Sequence, residues 1–309
     1  MDGSAWRLTG SAGRQAHLLM LHRRSDPFGI AGFSVYVWNV AQPTAAIAMS
    51  RKRENLADRR SEHWRPAPLE PGHTRMARGA AWLRRFFDLQ AGSVWADVAF
   101  RASTFRGKVV DVGCGAQPYR ALLPAGVTYV GLDILEAKER FGYAVPDTVY
   151  FDGVNWPVEA RNADFVLCTE ALEHVLEPRQ FLREAHDALL PGGRLLLTVP
   201  FAARWHFVPF DYWRFTPSSL QYLLEEAGFR NILVWARGNA LTVACYKTMA
   251  LLLPLLFPQS ERRPVAWSLR VASLPVLPVF VSLAVIANLS LQGSGGDDCL
   301  GYTVFAERP

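Results

Sequence analysis

Val109-Val110-Asp111-Val112-Gly113-Cys114-Gly115 is the stretch that decides the fold. Three valines around one aspartate predict a strand, and it runs straight into a glycine-rich turn. Gly113 and Gly115 let the backbone approach a ligand closely, where a side chain would collide. A Gly-x-Gly turn alone is weak evidence. The dinucleotide fingerprint wants a third glycine at position 118, and Pro118 stands there. Its absence weighs against a nicotinamide dehydrogenase, in which that glycine lets helix and strand pack closely.

Outward from this stretch, seven segments read as strands: 109–112, 127–134, 148–152, 163–169, 194–200, 229–236 and 302–306. Helical patterns lie before and between them. Apolar residues recur at three- and four-residue steps from Ala81 to Phe100, with Gly92-Ser93 as a candidate break. Residues 181–190 are amphipathic. Thr216-Pro217 opens a further helix that Gly228 stops. Such alternation predicts an α/β fold built on a doubly wound, largely parallel sheet, with ligands outside the carboxyl ends of its strands.

The strand ends carry candidate chemistry. Asp133 follows Gly113 by 20 residues, where a carboxylate can accept hydrogen bonds from both hydroxyls of a ribose. Asp152-Gly153 ends the third strand, placing an acceptor for the exocyclic amine of an adenine; Asp-Gly is also an ordinary turn pair. Thr169 and Glu170 end the fourth strand. Glu173-His174 follows, with His174 read as a packing histidine. After the fifth strand come His206, Asp211 and Arg214. His206 is a candidate general base, since an imidazole is mostly neutral near pH 7 and accepts a proton. Asp211 and Arg214 stand three apart, so they also read as an ion pair that braces the loop.

In this order and spacing, the motifs resemble class I S-adenosylmethionine-dependent methyltransferases of the type 11 group, with a UbiE/UbiG-like core. The resemblance covers residues 80–237 and 300–307. It rests on Asp111-Val112-Gly113-Cys114-Gly115, Asp133, Asp152-Gly153 and Leu190-Pro191-Gly192-Gly193-Arg194-Leu195. It implies a Rossmann-like seven-stranded sheet of order 3-2-1-4-5-7-6 with the last strand antiparallel. It also implies S-adenosyl-L-methionine as cofactor, contacted by Asp111, Gly113, Cys114, Gly115, Asp133, Asp152, Gly153, Thr169 and Glu170. Methyl transfer, most readily to oxygen, would use His206, Asp211 and Arg214 as catalytic candidates. The acceptor would be a small molecule, or one linked to a lipid or glycan. The other reading is a non-catalytic module that binds the cofactor for regulation or assembly.

Composition limits the rest. With 309 residues, 50% hydrophobic and 20% charged, the chain has apolar side chains enough for a core. Cys114, Cys168, Cys245 and Cys299 form no C-x-x-C pair, so neither a zinc site nor a disulfide framework is expected, and no metal is assigned. A reducing, cytoplasmic compartment fits. The net charge of +5 is local: residues 49–86 hold ten basic and four acidic side chains. Pro66, Pro68 and Pro71 break that segment, so it reads as a linker or a site for anionic lipid rather than a nucleic-acid face. Residues 1–77 are read as a poorly ordered basic extension and linker, and 78–309 as the methyltransferase domain. From Pro27 to Ser50 no strand or helix period persists. Met49 is a candidate start, and Ala46-Ile47-Ala48 superficially resembles a signal-peptide end.

Residues 238–299 form an apolar insertion between the sixth and seventh strands. From 271 to 296 there are 26 residues without a charge, interrupted by Pro275 and Pro278. Those two strands must pair in one sheet, so the insertion leaves and returns on the same side. A single membrane span is therefore excluded. Two readings remain for 241–292: a monotopic hairpin dipping into one leaflet, which makes the protein peripheral at the cytoplasmic membrane face, or helices packed on the domain or across a homodimer interface.

Overall fold

The computed structural model describes residues 6–9, 17–25, 31–39, 55–62, 69, 74–142, 144–257, 268, 271–293 and 295–309. The readings placed on Ala46-Ile47-Ala48, Met49, the start of the basic segment 49–86 and the three linker prolines lie outside them. The chain divides into two compact units, Met1–Asp58 and Arg59–Pro309.

In the first unit β1 (Trp6–Thr9), β2 (His17–Ser25) and β3 (Ala31–Asn39) pair antiparallel in chain order. The sequence reading finds no lasting strand period from Pro27 to Ser50, where β3 lies, and names no strand for β1 or β2. In β2 four apolar residues, Leu18 to Leu21, stand in a row, so no alternation marks it as a strand.

The second unit opens with α1 (Arg75–Phe87) and α2 (Leu89–Ala102). They break at Asp88, not at Gly92-Ser93. Asp88 ends α1 and caps α2, its carboxylate accepting the Ala91 amide at 3.2 Å. Gly92 stays helical, and its missing side chain serves the break: a Cβ there would lie 2.3 Å from the Arg85 carbonyl oxygen.

Then come β4 (Lys108–Val112), β5 (Thr128–Ile134), α3 (Ala137–Phe141), β6 (Thr148–Phe151), β7 (Ala163–Thr169), α4 (Pro178–Ala188), β8 (Leu189–Pro200), α5 (Pro217–Ala227), β9 (Arg230–Arg237), α6 (Ala240–Leu256), α7 (Val276–Ser290) and β10 (Gly301–Glu307). The sheet order is β6-β5-β4-β7-β8-β10-β9, with β10 antiparallel to both neighbours. Counted from β4 this is 3-2-1-4-5-7-6, as the motifs lead one to expect. α4 is one turn offset from its expected span. Leu189 and Leu190, read as its last apolar pair, already belong to β8.

Both faces of the central strands are buried, so their residues sort by alternation. Val110, Val166, Leu195 and Leu197 pack with Phe181 and Leu182 of α4 and with Leu220 and Leu224 of α5. Val109, Phe165, Leu167 and Leu196 pack on the other side with Val94 and Val98 of α2. α5 begins at Thr216, whose hydroxyl accepts the Ser219 amide, and ends at Gly228 in a left-handed turn.

The insertion folds as a helical hairpin. Asn239 caps α6 and also donates to the Ser290 carbonyl of α7 at 2.9 Å. Val243, Cys245 and Ala287 pack with Leu89 and Leu300, and Met249, Phe280 and Ala284 pack with Phe86 and Phe87. Much of the hairpin's outer surface is apolar and exposed, including Leu251, Leu255, Phe257, Leu274 and Leu277. Among the described residues no helix is long and apolar enough to cross a membrane.

Candidate active site

A cavity of about 290 Å³ opens at the carboxyl ends of β4, β5 and β7. Gly113 and Gly115 form its floor. Their turn is tied to β5, since the Gly113 and Cys114 amides both donate to the Leu132 carbonyl, at 2.9 and 3.1 Å. Gly113 has φ +68°, and a Cβ there would lie 2.5 Å from that of Ala171. A glycine is therefore required at this corner, in conformation and in space.

Asp133 stands at the end of β5 and lines the cavity. Its Oδ2 accepts the Gly115 amide at 3.0 Å and its Oδ1 the Ile134 amide at 2.8 Å. Burial raises its proton affinity, and these two amides act the other way. Cys114 lines the same wall, its thiol 3.7 Å from the Thr148 hydroxyl; burial pushes that thiol up, so it is inert rather than nucleophilic. Gly153, Thr169 and Glu170 also line the cavity.

Two of the expected cofactor residues stand apart. Asp111 lies beneath the turn, fully buried, accepting the Tyr129 hydroxyl at 2.8 Å while its Oδ1 has no hydrogen-bond partner. Burial pushes its carboxyl up to about 7. Asp152 is exposed and outside the cavity wall. Its Oδ1 accepts the Val154 and Asn155 amides at 2.8 and 2.9 Å, which fixes its own turn.

The loop after β8 brings its three candidates together. His206 lines the cavity, with Nδ1 2.9 Å from both the Arg204 carbonyl and Asp211 Oδ2. Arg214 grips Asp211 through two nitrogens, at 2.6 and 2.7 Å. Burial works against the Asp211 charge, yet hydrogen bonds from Arg214 and His206 outweigh it and hold the carboxyl well below its usual range. Asp211 and Arg214 are absent from the cavity wall. They reach it through His206, whose ring they orient.

Other residues at the site were not singled out by sequence. Arg237, at the end of β9 and 3% exposed, donates to Glu170 Oε1 at 2.6 Å and to the Val199 carbonyl at 3.0 Å. Glu170 itself has φ +49° and Phe207 φ +47°, left-handed positions held by the packing around them. Tyr246 of α6, Arg84 of α1 and Asp88 complete the wall. Their signal was faint, because each comes from an element far along the chain from the glycine turn.

A glycine turn after the first strand of a 3-2-1-4-5-7-6 sheet, with an acid after the second, defines the class I S-adenosylmethionine-dependent methyltransferase fold. Residues 72–234, more than half of the chain, match the family described as "Methyltransferase domain". The chain belongs to that family, whose cofactor is S-adenosylmethionine. Among similar proteins, an O-methyltransferase of Penicillium expansum is 28% identical over 44% of this chain and 57% of its own. A ubiquinone biosynthesis O-methyltransferase of Dinoroseobacter shibae is 31% identical over 41% of this chain and 62% of its own. The chain thus spans about six-tenths of the length of these relatives. A solved S-adenosylmethionine-dependent methyltransferase of Archaeoglobus fulgidus is 16% identical, with TM-score 0.43, over 74% of this chain and 99% of that one.

The cavity's chemistry fits the cofactor. Each Asp133 oxygen has spent one acceptor position on an amide and keeps another for a ribose hydroxyl. Gly113, Gly115, Asp133 and Gly153 would hold the nucleoside, and Thr169 and Glu170 would flank the sulfonium end.

Proposed function

We propose that the protein methylates a hydroxyl group of an acceptor that reaches the cavity from a lipid surface. S-adenosylmethionine supplies the electrophilic methyl carbon; the protein's task is to align an oxygen with it and remove that oxygen's proton. The observation that carries the reading is the His206–Asp211–Arg214 arrangement. With Nδ1–H directed at the Arg204 carbonyl and Asp211, the His206 Nε2 keeps its lone pair at the cavity wall. A carboxylate behind an imidazole fixes its tautomer and stabilises the charge that forms when Nε2 takes a proton. Arg214 holds that carboxylate in place.

The hairpin supports the lipid-side origin of the acceptor. Arg204 donates to the Ala250 carbonyl, and Lys247 donates to that of Ala202, so α6 lies directly against the loop that bears His206. Tyr246 of the same helix lines the cavity, while Leu251 and Leu255 are exposed. One helix thus carries both a cavity-lining residue and exposed apolar side chains. The protein would sit at the cytoplasmic face of a membrane, with a lipid-linked or quinone-like molecule as acceptor. His206→Ala should lower turnover about 10²- to 10⁴-fold and leave affinity for S-adenosylhomocysteine unchanged. Unchanged turnover would show that His206 only packs.

A further inference from the structure

We propose that Glu173, His174 and His206 bind one divalent transition-metal cation of the zinc class at the cavity wall. Their candidate donor atoms all lie within 4.8 Å of one another. In a tetrahedral site with bonds of about 2.1 Å, donors stand about 3.4 Å apart. His174 Nε2 and Glu173 Oε1 are already 3.7 Å apart. Small side-chain rotations would close the set.

Three features point to an ion rather than to simple packing. First, Glu173 is 0% exposed, and neither of its carboxylate oxygens has a hydrogen-bond partner. A buried carboxylate left this way is costly unless it keeps its proton or a cation meets it. Its charged neighbours do not. Among the described residues Arg214 is paired with Asp211 and Arg237 with Glu170; Arg214 acts on Glu173 only at a distance, and the ion-pair contact of Glu173 is with the His174 ring. A dication would supply the missing charge.

Second, both rings are set in the tautomer that a metal needs. His174 Nδ1 lies 2.8 Å from the Phe210 carbonyl, and His206 Nδ1 lies 2.9 Å from the Arg204 carbonyl and from Asp211. Each Nδ1–H is therefore engaged, and each Nε2 presents a lone pair. Metal-binding histidines are typically fixed in this manner by a carbonyl or a carboxylate. The rings meet edge to face with centroids 5.0 Å apart.

Third, the backbone around the donors is clamped. The Glu173 carbonyl accepts the Tyr212 amide at 2.9 Å, which ties the turn after β7 to the loop that carries His206. Two imidazoles and one carboxylate leave a fourth position open, the pattern of a site that also binds substrate. His174 and His206 line the cavity, so the open position faces it. An acceptor oxygen there would be bound and acidified by the ion; since one His206 Nε2 lone pair cannot both ligate the ion and take a proton, the general-base role belongs to the metal-free site. That use rests on the O-methylation reading; binding of the ion does not. The site escapes a sequence search because its donors come from two separate segments and none is a cysteine.

The test uses untagged full-length protein, stripped with EDTA and titrated with Co²⁺ while visible absorbance is read. The expected result is a ligand-field band that saturates at one Co²⁺ per chain and is abolished by one equivalent of Zn²⁺. Glu173→Gln and His174→Gln should each weaken Co²⁺ binding at least tenfold, while calorimetry shows that S-adenosylhomocysteine still binds, proving the variants folded. Absence of the band in protein that binds S-adenosylhomocysteine would overturn the proposal. So would Co²⁺ binding that both folded variants retain. Loss of binding in the variants, with no O-methylated product from any lipid extract, would keep the metal site and overturn the acceptor reading.

Discussion

Asp111 shows how one residue couples the glycine turn to stability. It is buried beneath the turn and bonded only through Tyr129, and its folded pKa of about 7 stands above the ordinary carboxylate value near 4. Between those values the folded state keeps a proton that the unfolded chain has lost. Stability therefore falls as pH rises through that window and levels off above about 7. Asp111→Asn keeps an oxygen for the Tyr129 hydroxyl and has nothing to ionise. From pH 5 to pH 8 the unfolding temperature of the wild type should drop relative to this variant. Parallel pH profiles would show that Asp111 does not titrate on folding. Gly113 and Asp133 were legible because each stands at a strand end, and His206 because an imidazole lies in the polar loop that follows β8. Asp152 was read as an adenine contact with an ordinary turn as the alternative, and the structure shows its carboxylate bonded to the amides of its own turn. Glu173 was visible beside His174, but its isolation from hydrogen-bond partners is a property of the folded chain.

At the scale of elements, the exposed side of the α6–α7 hairpin decides between membrane and partner. Leu251, Leu255 and Phe257 stand well exposed, so replacing them with serine removes apolar surface from solvent contact and not from the core. Full-length protein should float with anionic vesicles and resist release by salt, since apolar burial is not screened by ions. The triple variant Leu251→Ser, Leu255→Ser, Phe257→Ser should lose the salt-resistant fraction. A protein that ignores vesicles but dissociates from dimer to monomer in this variant would assign the surface to a second copy. The strands were readable from their valine-rich runs, and the bounds of α5 from Thr216-Pro217 and Gly228. The helix break at Asp88 was not, because an aspartate that closes one helix and opens the next looks like any polar helical residue. Nor was the packing of the hairpin on Phe86 and Phe87, which apolar composition alone cannot distinguish from a membrane face.

For the whole molecule, the glycine turn, the acid at the end of β5 and the loop of His206 all belong to the second unit. That unit has its own two-sided core, built on seven strands. A chain of residues 59–309 should therefore fold and bind S-adenosylhomocysteine within about threefold of the full-length affinity, as an independent core permits. Failure to fold would show that residues 1–58 contribute to the domain. The central claim is that the cavity at the ends of β4 and β5 holds the methyl donor through Asp133. Calorimetric titration of the full-length protein with S-adenosylhomocysteine tests it most directly. The account predicts one site per chain, weakened at least tenfold by Asp133→Ala, since two charge-assisted hydrogen bonds of about 1.5–3 kcal/mol each would be lost. A folded protein that gives no binding heat at several temperatures, or one whose affinity Asp133→Ala leaves unchanged, would contradict it.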